Sequence, residues 1–297
     1  VNNLYENIPQ YAIDYLNYIE TIKGLSPKTV QEYYYDLRLF FDYIFAQGIK
    51  EISEVTLSHL YSYMGYLTHD RKISAVTRNR KIASLKSFFK YLHKKAKLIN
   101  DNPTTELETP KVKKSLPKYL NVDESKNLLE AIDGKYNIRD HAIITLFLHC
   151  GLRVSELVGI NLSDIKGNQL IILGKGNKER IVYLNNTCMK VVEDYKKVRK
   201  ISKKESNALF LSERNQRISI RVVQWMTSKY MKACGLDITK YSVHKLRHTM
   251  ASSLLKNGVN IKALQEMLGH ASISMTEKYT HIDSKDLEDA FSKNPLN

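Results

Sequence analysis

Pro103, Pro110 and Pro117 fall at seven-residue intervals in the stretch NDNPTTELETPKVKKSLPKYL. No helix interior and no central strand tolerates proline, which lacks the N–H and fixes its own φ. The stretch must therefore run as an irregular connector, and the chain on either side must build its own core. With 297 residues there is enough chain for two such cores. We place a helical unit over 1–107, a basic linker over 108–117 and a second unit over 118–297. The expected fold class is mainly α with one small β-hairpin or sheet.

The first hundred residues read as four helices. IPQYAIDYLNYIETIK repeats apolar and aromatic residues at helical spacing. SPKTVQEYYYDLRLFFDYIFAQG opens on Ser26 as N-cap with Pro27 at the first helical position, and closes on Gly48. EVTLSHLYSYMGYLTHD is the third, and residues 71–97 form the fourth. Beyond the linker, NVDESKNLLEAI starts a new helix with Asp123 as its candidate N-cap. YNIRDHAIITLFLHCGLR is a helix that stops at Gly151. RVSELVGI is another short one. NQLIILGKGNKERIVYL changes period to that of strands around a glycine-rich turn and predicts a β-hairpin. Helices are expected over TCMKVVEDYKKVRK, SIRVVQWMTSKYMKACG, HKLRHTMASSLLKNG, NIKALQEMLGH, SISMTEKYTHI and SKDLEDAFSK.

Charge narrows the partner. The net charge is +15, which favours a polyanion and above all nucleic acid. Residues 71–97 hold ten Lys or Arg and no acid: Arg71, Lys72, Arg78, Arg80, Lys81, Lys86, Lys90, Lys94, Lys95 and Lys97. Ile82, Leu85, Phe88 or Phe89, and Leu92 supply an apolar stripe, so the segment reads as an amphipathic helix with a basic outer face suited to DNA. Lys111, Lys113, Lys114 and Lys118 extend that basic surface through the linker. The longest apolar run, Ala142 to Leu148, is far too short to span a bilayer. The N-terminus carries no signal pattern. The expectation is a cytoplasmic protein with no membrane partner. Cys150, Cys188 and Cys234 make neither a disulfide framework nor a zinc pattern and are expected as free, mostly buried thiols.

VHKLRHT sets His244 and Arg247 at i and i+3, on one helix face. Singly, such residues are ordinary solvated helix ends. In chain order, however, the second unit presents Arg153, Lys175, His244, Arg247, His270 and Tyr279, with no paired carboxylates, nucleophile elbow or metal motif to compete. Cations, imidazoles and a phenol together suit displacement at a phosphodiester. Two guanidiniums can grip the non-bridging oxygens and stabilise the transition state. A lysine can protonate the leaving alkoxide, a histidine can exchange protons with the nucleophile, and the tyrosine oxygen can attack. Neither a metal ion nor any other cofactor is called for.

The stretches GLRVSELVGI, GKGNKERIVYL, HKLRHTMASSLL and LGHASISMTEKYTHI, in this order, resemble the tyrosine site-specific recombinases of the integrase and Xer type. The resemblance covers nearly the whole chain and implies an N-terminal helical DNA-binding domain before an α-rich catalytic domain. It makes Arg153 the first catalytic arginine, Lys175 the hairpin lysine, His244 and Arg247 the central pair, His270 the position that is His or Trp in the family, and Tyr279 the nucleophile. Glu156 matches an acidic position that would orient Arg153. Tyr183 stands where many members have proline, and MASSLL departs from the common continuation after LRHT; both look like packing or rim positions. The implied activity is strand cleavage and rejoining through a 3′-phosphotyrosyl intermediate and a Holliday junction, without ATP. The uses would be chromosome or plasmid dimer resolution, or integration and excision of a mobile element. Implied partners are double-stranded DNA at a specific site and further copies of the chain in a tetramer, with the tail 284–293 docking on a neighbouring protomer. A second recombinase or accessory factor stays open. So do two rivals: a type IB topoisomerase, and a non-catalytic DNA-binding protein on the same fold.

Overall fold

The computed structural model describes residues 5–111, 119–174, 179–200, 207–268 and 293–296. The chain divides into two compact units, Val1–Ser115 and Leu116–Asn297.

The first unit contains four α-helices among its described residues: α1 (Gln10–Thr21), α2 (Pro27–Ala46), α3 (Leu57–His69) and α4 (Ala75–Tyr91). Ser26 caps α2 by accepting the Thr29 N–H, and Gly48 follows the helix in the left-handed region at φ +83°. The core is aromatic. Tyr15, Phe40, Phe41, Tyr63, Phe88 and Phe89 are all fully buried, and edge-on pairs such as Phe40 with Phe89 and Phe41 with Phe88, each 5.9 Å between centroids, knit α2 to α4.

The fourth helix departs from the expectation in two ways. It does not span 71–97 as one element. Arg71 and Lys72 precede the Ser74 cap, and after Tyr91 the backbone loosens into a π-helical turn over Leu92–Ala96 that ends on Lys97 at φ +53°. Nor are all its basic side chains on an outer face. Lys81 is buried, its Nζ 2.8 Å from Oδ1 of Asp36, a carboxylate on α2 whose side chain has no exposure. Arg80 grips the same carboxylate with both terminal nitrogens at 2.7 and 2.8 Å, and Ser84 Oγ donates to it at 3.1 Å. A buried carboxylate must be paired and hydrogen-bonded, and here α4 supplies every partner.

The second unit starts with α5 (Val122–Glu130) and α6 (Asn137–Cys150). The cap of α5 is Asn121, not Asp123. Asn121 Oδ1 accepts the Glu124 N–H and Glu124 returns the bond to the Asn121 N–H, both at 2.8 Å. Asp123 sits in the first turn, where its charge faces the positive end of the helix. Every residue of α6 from Ala142 to Cys150 is buried, as expected of a helix that is apolar all round, and α8 (Asn186–Val198) and α10 (Val243–Lys256) pack against it.

Between α7 (Val154–Gly159) and α8 lies the hairpin, with one strand more than expected. β1 (Ile165–Lys166), β2 (Gln169–Leu173) and β3 (Glu179–Tyr183) form an antiparallel sheet in that order. β2 and β3 pair from Gln169 opposite Tyr183 to Leu173 opposite Glu179. Leu170, Ile172, Val182 and Tyr183 face the core, so the residue in place of the common proline is a packing residue. The helices α9 (Ile220–Ala233) and α11 (Ile261–Leu268) complete the described part. Leu120 N–H donates to Thr249 Oγ1, and Asn294, near the C-terminus, donates from Nδ2 to the Leu148 carbonyl. All three cysteines are free thiols; Cys150 and Cys188 are buried with their sulfurs 3.7 Å apart, and Cys234 is half-buried. Among the described residues, no helix is long and apolar enough to cross a membrane.

Candidate active site

The site begins with a turn. Gly151 ends α6 in the left-handed conformation, φ +59°, and the next residues swing the chain into α7. A Cβ at Gly151 would lie 2.1 Å from Met250 Cε and 3.2 Å from Leu268 Cδ2. Both are side-chain ends from α10 and α11 that can shift, so it is the φ above all that calls for glycine here. Arg153 stands at the N-cap of α7 with Glu156 at its third helical position. The Arg153 N–H donates to Glu156 Oε2 and its Nη1 to Oε1, both at 2.7 Å.

Arg247 arrives from α10. It is buried, and its guanidinium donates from Nη1 to the Gly151 carbonyl and from Nη2 to that of Leu268 at the end of α11. Nη1 lies 3.9 Å from Glu156 Oε2. Burial lowers the Arg247 pKa first, the charge of Arg153 adds to this and Glu156 opposes it, leaving it at about 10; the group keeps its charge at neutral pH. His244 lies one turn earlier on α10 and is exposed. One turn beyond it is His248, also exposed, whose pKa is lowered by partial burial and by the charges of Lys245, Arg247 and His244.

A third arginine shares the carboxylate. Arg180 on β3 donates from Nη1 to Glu156 Oε1 and from Nη2 to Oε2, both at 2.8 Å, and from Nε to the Met267 carbonyl at 3.1 Å. Burial alone would raise the Glu156 pKa; hydrogen bonds from Arg180 and Arg153 outweigh it and bring the group down to about 2. Sequence reading did not single out Arg180. It lies inside GKGNKERIVYL, but its partner is twenty-four residues away in the chain, and only the fold brings them together.

The structure thus gathers Arg153, Glu156 and Arg247, with His244 on the Arg247 helix. Lys175, His270 and Tyr279 lie outside the described residues, as do Lys113, Lys114 and Lys118 and the tail positions Leu287, Ala290 and Phe291. Of the basic residues in the first unit, Arg71, Lys72, Arg80, Lys90, Lys94, Lys95, Lys97 and Lys111 are exposed, Arg78 and Lys86 are half-buried and Lys81 is buried.

Three arginines, from α7, β3 and α10, surround one buried carboxylate. Residues 118–286 match the phage integrase family, and residues 12–96 match the phage integrase N-terminal SAM-like domain. The chain belongs to the phage integrase family of tyrosine recombinases. Tyrosine recombinase XerC of Caldanaerobacter subterraneus subsp. tengcongensis is 47% identical over 97% of this chain and 87% of that protein. In fold, the recombinase resembles a XerH site-specific recombinase bound to palindromic difH substrate in a post-cleavage complex (TM-score 0.72, 20% identity, 88% of this chain and 78% of that one). It also resembles a lambda integrase tetramer bound to a Holliday junction (TM-score 0.69, 18% identity, 91% and 79%).

Proposed function

We propose that this recombinase is of the Xer type and exchanges DNA strands at a specific site, with Tyr279 as nucleophile. The Tyr279 oxygen attacks the scissile phosphorus, the 5′-oxygen leaves, and the strand is held as a 3′-phosphotyrosyl ester. Arg153 and Arg247 bind the non-bridging oxygens and offset the charge that grows on them. Lys175 gives the leaving oxygen its proton, while His244 exchanges a proton with the tyrosine and His270 adds a further donor to the phosphate. A 5′-hydroxyl from the partner duplex then reverses the step, so the ester conserves the bond energy and no nucleotide is consumed. Two such exchanges pass through a Holliday junction.

The observation that carries this reading is the arginine network: Arg247 hydrogen-bonded to the Gly151 carbonyl, two residues before Arg153, with both guanidiniums around Glu156. Arg247 is buried and Arg153 reaches the surface; cations that a fold assembles beyond what one carboxylate can neutralise call for an anionic ligand.

The helical unit over 1–107, the linker over 108–117 and the exposed basic side chains of the first unit would bind the duplex through its phosphates. The XerC relative favours a Xer-type role over that of a mobile element. The lambda integrase tetramer bound to a Holliday junction supports a tetramer as the working form. Such a reaction belongs in the cytoplasm, where the chromosome is.

The test is a nicked suicide duplex carrying the target site, which traps the covalent adduct. Wild type should form it, and Tyr279→Phe should form none while binding the site almost as tightly. An adduct that persists in Tyr279→Phe and disappears in Tyr241→Phe would move the nucleophile to Tyr241. No adduct from wild type would leave a DNA-binding protein, and relaxation of supercoiled plasmid without a defined site would point to a topoisomerase.

A further inference from the structure

Arg180 has no step in the proposed chemistry, yet it binds the carboxylate that Arg153 binds and reaches the end of α11. Its side chain is 12% exposed and that of Glu156 is 4% exposed, whereas that of Arg153 is 33% exposed. Both Glu156 oxygens accept from Arg180, and the third donor, Nε, reaches the carbonyl of Met267 on α11. One planar guanidinium thus ties together β3, the strand that follows Lys175 in the chain; α7, which carries Arg153 and Glu156; and the end of α11, the helix that precedes His270. The neighbouring carbonyl, Leu268, is held in the same way by Arg247. Two arginines therefore satisfy successive carbonyls at the C-terminal end of one helix, where such groups lack partners and the helix dipole is negative.

Resting on the recombinase reading, we infer that Arg180 is a positioning residue for strand cleavage: it holds Glu156, and through Glu156 Arg153, in register with the hairpin and with α11. Charge alone does not explain the arrangement. Arg153 already neutralises the single charge of Glu156 at 2.7 Å, so a further buried cation is costly unless its geometry is used. Three donors in one plane fix three elements against each other, which a lysine's single ammonium does not do. A catalytic arginine misplaced by about 1 Å can lose on the order of 100-fold in rate.

The experiment uses the full chain and four variants: Arg180→Lys, Arg180→Gln, Glu156→Gln, and the Arg180→Gln/Glu156→Gln double. For each, thermal unfolding, affinity for a half-site, and the single-turnover rate of adduct formation at saturating protein are measured. Arg180→Lys keeps the charge and should remain folded and bind within about threefold of wild type, while its adduct rate falls between 10- and 100-fold. The double variant should be no slower than the slower single one, because both act through one contact. A residue needed only for folding would lose stability and binding together, and Arg180→Lys would restore the rate. A wild-type rate in Arg180→Lys, or losses that multiply in the double variant, overturns the inference while leaving the recombinase reading intact. Absence of any adduct from wild type overturns both.

Discussion

Arg247 donates its Nη1 hydrogen to the carbonyl of Gly151, ninety-six residues earlier in the chain. The second arginine of the site is thereby fastened to the turn that presents the first. The turn depends on Gly151 for its φ of +59° and for the room that Met250 and Leu268 leave it. Gly151→Ala should destabilise the protein by about 1–3 kcal/mol, the usual cost of forcing a side chain into the left-handed region. Met250 Cε can move aside, so most of this cost should be backbone strain. Because the strain falls between Arg153 and Arg247, adduct formation should drop more than half-site binding. Denaturant melts and single-turnover cleavage measure the two effects; equal stability with wild-type cleavage would mean the turn does not set the arginines.

Glu156 makes stability depend on acid. Its folded pKa of about 2 lies below the ordinary 4.5, so its contribution is fully present above about pH 5 and fades as pH falls through 4.5 toward 2. A difference of that size is worth about 3 kcal/mol. The stability gap between wild type and Glu156→Gln should therefore be widest near neutrality and narrow steadily below pH 5. Unfolding midpoints in urea across this range provide the check, and a gap that stays constant would remove Glu156 from the acid response.

Most of the helices were legible because their caps and apolar periods are local signals. What escaped the sequence was decided by contacts across it. Asn121 and Asp123 are both good cap residues, and the deciding feature is the glutamate three places after Asn121, which closes the capping box. β1 is two residues long, too short to show a period. Lys81 falls on the stripe shared by Leu85, Phe88 and Leu92, so its burial follows the helical period; its partner Asp36, forty-five residues away, has no local signature. In the site, Arg153 and Glu156 form a local pair that spacing suggests, while Arg180 and the carbonyls of Gly151, Met267 and Leu268 enter only through tertiary packing.

Lys175 should matter through the proton it delivers. Lys175→Ala is expected to slow cleavage of ordinary DNA far more than cleavage of DNA with a 5′-bridging phosphorothiolate at the scissile position. The sulfur leaves as a stable thiolate and needs little protonation, so loss of a general acid is rescued by the substrate. Single-turnover rates on the two substrates make the comparison, and equal slowing on both would confine Lys175 to holding the phosphate.

The buried and exposed lysines of the first unit should separate cleanly. Lys94, Lys95 and Lys97 are exposed, and each phosphate they neutralise adds roughly −0.9 to the log–log dependence of binding on salt. Replacing the three with Gln should flatten that slope while leaving the melting temperature nearly unchanged. Lys81 is committed to Asp36 inside the bundle, so Lys81→Gln should leave the slope as it was and lower stability instead. Asp36→Ala should be worse, because it leaves Lys81 buried with no opposite charge beside it, a change that costs about 3–5 kcal/mol in other proteins. Asp36→Ala also releases Arg80, whose fork is set by the same carboxylate, so affinity for the site should fall even under conditions where the variant is fully folded. Salt titrations of half-site binding alongside thermal melts decide the matter: a flatter slope in Lys81→Gln, or an unchanged one in the triple variant, would reverse the assignment of inner and outer faces on α4.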